Sequence, residues 1–390
     1  MSLSLRHTFN HSLPFAFGFF LQKTQEKKPT QKLLFRFFEK AERLLFSFPS
    51  FSFLLYQGLH ALMIRVLLSN DDGVEALGLR ELYAVLQRMG TCHGRRLDVR
   101  VSAPATNQSA MSHKLTMGGP LTARRCHDPA YTRASSAASA ANATGDENEP
   151  WVIAVTGTPV DSVRVGLALL EQPGSDGAGP WVPDIVLAGV NHGNNLGLCA
   201  LYSGTVAAAV EGTLHGAPGV ALSYDMRALD EFDARDQRDM AAAIAAAVPP
   251  LLAACFDAAT GRCRIPPAHT LVVNIPNPLQ VARAAPAAPA SRFRLTRLSP
   301  TSLLTPYSFT PRPDAPDRTD VGFCQSQLQD VSALLQSGDV SVPPLLAQYP
   351  ADIEAVKKDG CVSVALLPLV PACDVAAAYE HLATTWTLFA

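Results

Sequence analysis

The segment that most constrains this chain is Met63-Ile-Arg-Val-Leu-Leu-Ser-Asn-Asp-Asp-Gly-Val74, an apolar run that stops at two adjacent carboxylates and a glycine. Ile64, Val66, Leu67 and Leu68 form a nearly continuous hydrophobic stretch, the signature of a strand covered on both faces, as in a parallel sheet between helices. Gly73 permits a sharp turn, and Leu79, Leu82, Val85, Leu86 and Met89 then recur at helical spacing. Strand, acidic turn and helix in that order place Asp71 and Asp72 outside the carboxyl end of a strand, where open α/β sheets bind ligands. Two adjacent carboxylates in water-poor surroundings repel each other unless one is protonated or a cation lies between them, and hard cations such as magnesium prefer oxygen ligands of this kind. The competing reading of the same residues is a solvated turn or a helix N-cap.

From Met63 onward strand and helix patterns alternate. Leu97 to Val101, Trp151 to Val155, Asp184 to Ala188, Gly219 to Ser223 and Leu271 to Ile275 suit strands, and Val163 to Leu170 suits a helix. The Ala-rich stretch Met240 to Cys255 also reads as a helix, interrupted by Pro249 and Pro250. This alternation predicts an α/β, Rossmann-like doubly wound sheet. The core is expected over residues 63–290, with a flexible insertion near 127–150, where Ala, Ser, Asn and Glu dominate and little can be buried. Beyond Arg292 five prolines between Pro300 and Pro316 suggest an extended C-terminal arm, followed by closing elements within 291–390.

Residues 1–62 differ from everything after them. They carry 12 of the 18 phenylalanines, with eight Lys/Arg against three Asp/Glu; that net +5 leaves −7 for the rest of a chain whose total is −2. Leu13 to Leu21 is too short to span a bilayer. A basic, acid-poor, apolar leader fits organellar targeting, association with a membrane surface, or a disordered upstream extension with Met63 as the functional start. For the body the expected compartment is the cytoplasm. No basic stripe argues for binding a nucleic-acid duplex. The eight cysteines lack any C-x-x-C pair, which speaks against zinc ribbons and a disulfide scaffold.

Three further segments are rich in polar groups. Asn107, Ser109, Ser112 and His113 follow the second strand; Asn191-His-Gly-Asn-Asn195-Leu-Gly197 follows the fourth; Tyr202-Ser203-Gly204-Thr205 opens an Ala-rich helix. The glycines among the asparagines free the backbone to approach a ligand, and the asparagines supply neutral oxygen donors, but the spacing is not that of a dinucleotide fingerprint. Ser203 can cap a helix whose first amides form an anion site, or do no more than cap it.

Taken together, Leu67-Leu-Ser-Asn-Asp-Asp-Gly73, Gly157-Thr-Pro-Val-Asp161, Asn191-x-Gly193-x-Asn195-x-Gly197, Tyr202-Ser-Gly-Thr-Val206 with Glu211-Gly212, and Val273-Asn-Ile-Pro276 resemble the SurE survival-protein nucleotidases, in the order of that family and over about Met63 to Leu369. The resemblance implies a metal-dependent phosphomonoesterase acting on nucleoside 5'- and also 3'-monophosphates, with short polyphosphate as a further substrate. It implies one divalent ion, Mg2+ or Mn2+, held by Asp71, Asp72, Ser109 and Asn191, with Asp71 and Asp72 as the catalytic pair. Phosphate contacts would come from Asn70, Asn107, Ser112, Asn195, Ser203, Gly204 and Thr205. The attacking group would be a metal-activated water or an aspartate. A homodimer or homotetramer built through the C-terminal arm is also implied. The alternative is a catalytically weak nucleotide-binding protein on the same fold. The chain departs from the family pattern at Leu77, at Gln108-Ser109-Ala110, at Leu198-Cys199 and at Ala365-Leu-Leu367, none of which removes an expected ligand.

Overall fold

A computed structural model of the chain describes residues 62–389 apart from 141–148, 173–179, 227–231, 285–291, 300, 305–306, 312–318, 324–326, 331–345, 347 and 370–373. The leader expected over 1–62 lies outside the described residues except for Leu62.

A ten-stranded sheet forms the body. Its strands β1 (Met63–Ser69), β3 (Arg95–Pro104), β5 (Val152–Val155), β6 (Ile185–His192), β7 (Gly219–Tyr224) and β8 (His269–Ile275) run parallel in the order β5-β3-β1-β6-β7-β8. Between them come helices α1 (Leu77–Met89), α2 (Pro129–Ala140), α3 (Pro159–Glu171), α4 (Gly204–Leu214) and α5 (Ala234–Cys255). The two-residue strand β2 (Thr91–Cys92) and the edge strand β4 (Ala123–Arg125) pair antiparallel with β3 and β5.

Alternation along β1 shows why the run is apolar at nearly every position, with Arg65 the exception. Ile64, Val66 and Leu68 join a core with Leu79, Leu82 and Leu86 of α1 and Ile244, Val248 and Leu251 of α5. Leu67 faces a second core with Val163 and Leu167 of α3 and Ala208 and Ala209 of α4. Successive side chains of a strand point to opposite faces, so a strand with helices on both sides buries both sets.

Three segments differ from the sequence expectation. The helix α5 continues through Pro249 and Pro250 for 22 residues. Each interior proline disfavours a helix by ~3 kcal/mol, and burial of Ala247, Val248, Leu251 and Leu252 around them offsets that cost. Part of the expected 127–150 insertion is the helix α2, because Tyr131 is buried, stacks edge-on against Tyr83 at 5.0 Å and donates to the Val74 carbonyl at 2.7 Å. Beyond the short helix α6 (Pro278–Ala284), β9 (Phe293–Thr296) and β14 (Val362–Pro368) extend the sheet, with β14 antiparallel to β8 and β9 parallel to β14. Within the expected arm the described residues form two extended pairs: β10 (Thr301–Leu304) with β13 (Gln327–Asp330), and β11 (Tyr307–Pro311) with β12 (Thr319–Phe323). The helices α7 (Asp352–Lys357) and α8 (Val375–Thr385) flank β14 in sequence.

Candidate active site

The chain steps from β1 outward to β3 and β5, then returns to place β6 on the other side of β1. That reversal opens a crevice at the carboxyl ends of β1 and β6. Asp71 and Asp72 follow β1, and Asn191 lies near the end of β6. The turn is closed by the Asn70 side-chain amide, which donates to the Gly73 carbonyl at 2.8 Å. Gly73 has φ +104°, a conformation other residues adopt only with strain.

Asp71 is 3% exposed. Its carboxylate accepts a hydrogen bond from the Thr205 hydroxyl. Burial first, and the charge of Asp72 second, push its carboxyl up from the ordinary 3.8 to about 6 against that bond. A rise of this size favours the protonated form by about 3 kcal/mol. Asp72 is also raised by burial, although it accepts from the His192 backbone N–H at 3.0 Å. Both groups therefore sit where a positive charge would be strongly favoured.

Asn191 holds its own side chain by donating to the Gly193 carbonyl at 2.8 Å, which leaves Oδ1 toward the Thr205 hydroxyl at 3.5 Å. Ser203 caps α4, accepting from the Val206 N–H at 3.1 Å. Gly204 is required by crowding against the protein itself. A Cβ there would lie 2.8 Å from Asp71 Cβ and 2.9 Å from Pro159 Cγ. Gly204 and Thr205, expected among the phosphate contacts, both lie against Asp71: Gly204 lets α4 approach it, and Thr205 orients its carboxylate.

The polar loop after β3 is fastened to the same place. The Val74 N–H donates to the Pro104 carbonyl and the Gln108 N–H to the Asp71 carbonyl, both within 2.8 Å. Ser109 thus follows directly on a residue bonded to Asp71, while its side chain is exposed and its N–H donates to Asn107 Oδ1 at 2.7 Å. Ser112 donates its hydroxyl to the Leu201 carbonyl at 2.7 Å, so that proton is not offered to a phosphoryl oxygen. Asn195 is buried, its N–H donating to Asn274 Oδ1 and its side-chain amide to Ser223 Oγ, both at 2.7 Å. Its donors serve the neighbouring strands, and it is a structural bracket beside the site.

Sequence reasoning assigned no role to several groups. The His192 N–H is one, since a backbone donor has no residue signature. Glu211 is another: its buried carboxylate accepts from His113 at 2.9 Å, Arg164 at 3.0 Å and His215 at 3.0 Å. Burial raises that carboxyl, but His113, His215 and Arg164 together outweigh it and leave it below the usual glutamate value. Asp161, quoted only as part of a motif, accepts from Thr158 and Thr116 and so ties the start of α3 to the loop.

The donors that converge on the crevice are all oxygens: two carboxylates and the Asn191 amide oxygen. Asn70 Oδ1, next to Asp71, is buried and has no hydrogen-bond partner among the described residues. This set fits a hard divalent cation and does not fit a soft one.

The family model of survival protein SurE matches residues 66–303. A 5'-nucleotidase SurE from Maridesulfovibrio salexigens is 37% identical over 186 residues, 48% of this chain and 60% of that protein. A 5'/3'-nucleotidase SurE from Proteus mirabilis is 40% identical over 163 residues, 42% of this chain and 50% of that protein. The matched regions thus span 50–60% of these relatives' length. A crystal structure of the SurE protein from Aquifex aeolicus is similar at a TM-score of 0.49 and 25% identity, covering 79% of this chain and 94% of that one.

Proposed function

The chain belongs to the SurE survival-protein family, and from that premise we propose that it is a divalent-metal-dependent phosphomonoesterase that releases phosphate from nucleoside monophosphates. The observation that carries the reading is the adjacent carboxylates of buried Asp71 and half-buried Asp72, both pushed up by desolvation, facing Asn191 and the first turn of α4 at the switch point of the sheet. Asp71, Asp72 and Asn191 would hold the ion, and Ser109 would complete the set from the loop after β3. When bound, a divalent ion neutralises charge on the phosphoryl oxygens and lowers the pKa of a bound water.

The chain's own groups prepare the remainder. Thr205 and the His192 N–H fix the two carboxylates. The Ser203 cap leaves the Gly204 N–H at the positive end of α4, where a phosphoryl oxygen is favoured. Ser112, His113 and Thr116 fasten the loop after β3 over this end of the sheet through Leu201, Glu211 and Asp161. A water nucleophile is favoured over an aspartate, since both carboxylates are committed to holding the ion and to bonds within the protein. Manganese or magnesium suits the oxygen donors, 3'-monophosphates and short polyphosphate are the secondary substrates, and the β10–β13 arm is the dimer-forming element.

The test is phosphate release from a panel of nucleoside 5'- and 3'-monophosphates and tripolyphosphate, with Mn2+, with Mg2+ and with EDTA. Release from monophosphates that EDTA abolishes is the expected result. Nucleotide binding without release under any metal would overturn the reading in favour of a binding protein.

A further inference from the structure

The segment between Asn191 and Ser203 is held from a part of the chain that the family match at 66–303 does not reach. Asp225, at the end of β7, is 1% exposed. Its carboxylate receives Lys357 Nζ on both oxygens at 2.7 and 2.6 Å, the Asn194 amide at 2.6 Å, and the Gln280 amide. Asp352, fully buried on the same short helix α7 as Lys357, accepts from the Gly197 N–H at 2.7 Å and from the Ser299 N–H at 2.9 Å. Two carboxylate brackets therefore grip the loop at Asn194 and Gly197.

Each bracket leads to the site by a short covalent path. Asn194 adjoins Gly193, whose carbonyl receives the Asn191 amide and so decides where Asn191 Oδ1 points. Gly197 opens the single turn Gly197–Leu201, which ends just before the Ser203 cap and Gly204. A buried carboxylate that accepts four hydrogen bonds from three side chains has one low-energy arrangement, whereas loss of the ammonium leaves an uncompensated charge that must be relieved by movement or water entry. The loop that would follow that movement carries Asn191.

We infer that Asp225, Lys357 and Asp352 are positioning residues for the Asp71–Asn191 site, so that helix α7 sets the affinity of the site for its cation. The inference rests on the reading of Asn191 as a cation ligand, and it adds that the geometry of that ligand is supplied from the C-terminal part of the chain.

Mn2+ binding to the metal-free full chain, followed by isothermal titration calorimetry, tests this without requiring turnover. Lys357→Met should weaken Mn2+ binding by roughly tenfold or more, the range seen when partners of ligands are lost, and Lys357→Arg should restore most of it. Because Lys357→Met strands a buried carboxylate and can fail to fold, Asn194→Ala is the second variant. It cuts the link to the loop while Asp225 keeps Lys357 and Gln280, and it should also weaken Mn2+ binding several-fold with little change in Tm. Lys358→Met, on an exposed neighbour that pairs with Glu354 among the described residues, is the control and should bind Mn2+ as the parent does. Unchanged Mn2+ affinity in Lys357→Met and Asn194→Ala, with only Tm lowered, overturns the inference. If the parent binds Mn2+ but hydrolyses no nucleotide while both variants lose affinity, the positioning role stands and the nucleotidase reading fails.

Discussion

The backbone N–H of His192 donates to Asp72 Oδ2 at 3.0 Å, joining two residues 120 positions apart. This bond spans the point where the sheet reverses its order, so the acidic turn after β1 and the asparagine-bearing end of β6 move as one piece. The neighbouring bond from Thr205 adds the start of α4 to that piece.

Asp71→Asn tests the pair directly. The substitution removes a buried carboxylate whose charged form the fold disfavours, so Tm measured in EDTA at neutral pH should be unchanged or higher. Nucleotide hydrolysis with saturating Mn2+ should fall by at least roughly 100-fold, more than for loss of a partner behind a ligand. Turnover near the parent level would remove Asp71 from the site.

Gly204→Ala should fail for a steric reason. Its methyl group would press on Asp71 Cβ at 2.8 Å and Pro159 Cγ at 2.9 Å, costing about 1–3 kcal/mol in stability. The displaced Asp71 should lower kcat by roughly 100-fold, as misplacement by about 1 Å does. A variant with the parent's Tm and kcat would show that α4 is free to slide.

Glu211 makes stability depend on pH. Its carboxyl lies below the ordinary 4.5 in the folded chain because His113, His215 and Arg164 outweigh burial. A lowered folded value means that its contribution is complete above about pH 4.5 and is lost as pH falls through the lower folded value. Glu211→Gln should therefore destabilise by about 2 kcal/mol at pH 6, a figure discounted for half-exposed partners. In urea unfolding the gap from the parent should shrink as pH drops toward 3, and a gap independent of pH would show that the charge is not what matters.

Removing residues 1–62 should leave nucleotide hydrolysis and Tm intact and should reduce aggregation, because that segment concentrates the phenylalanines. The comparison is a chain starting at Met63 against the full chain. Failure of the shorter chain to fold would mean that the leader packs on the body.

The parts of the fold legible in the sequence were those with a local signal. A strand buried on both faces is apolar at nearly every position, so Ile64 to Leu68 and Leu271 to Ile275 announced themselves despite Arg65 and Asn274, and an abrupt end in Asp71-Asp72-Gly73 marked the crevice. What lay hidden depends on distant partners. Tyr131 secures α2 by reaching Val74 and Tyr83, and nothing within the Ala/Ser tract records that contact. Pro249 and Pro250 argue locally against a helix that packing on α1 and on Leu187, Val220 and Leu222 sustains. Asp225 and Lys357 are 132 residues apart, and neither stands in a motif. The contacts of Gly204 and Thr205 were hidden for a related reason: the sequence shows which residues are small or hydroxylated, and only the fold shows that both lie against Asp71.

The insertion of β14 between β8 and β9 has a consequence for the nascent chain. Strand β8 ends at Ile275, and its outer partner does not begin until Val362. During synthesis at ~5–20 residues per second, that edge therefore waits on the order of ten seconds with its backbone donors and acceptors uncovered. Such an edge recruits strands from other chains, so until Val362 emerges the ribosome-bound chain is open to mispairing at β8.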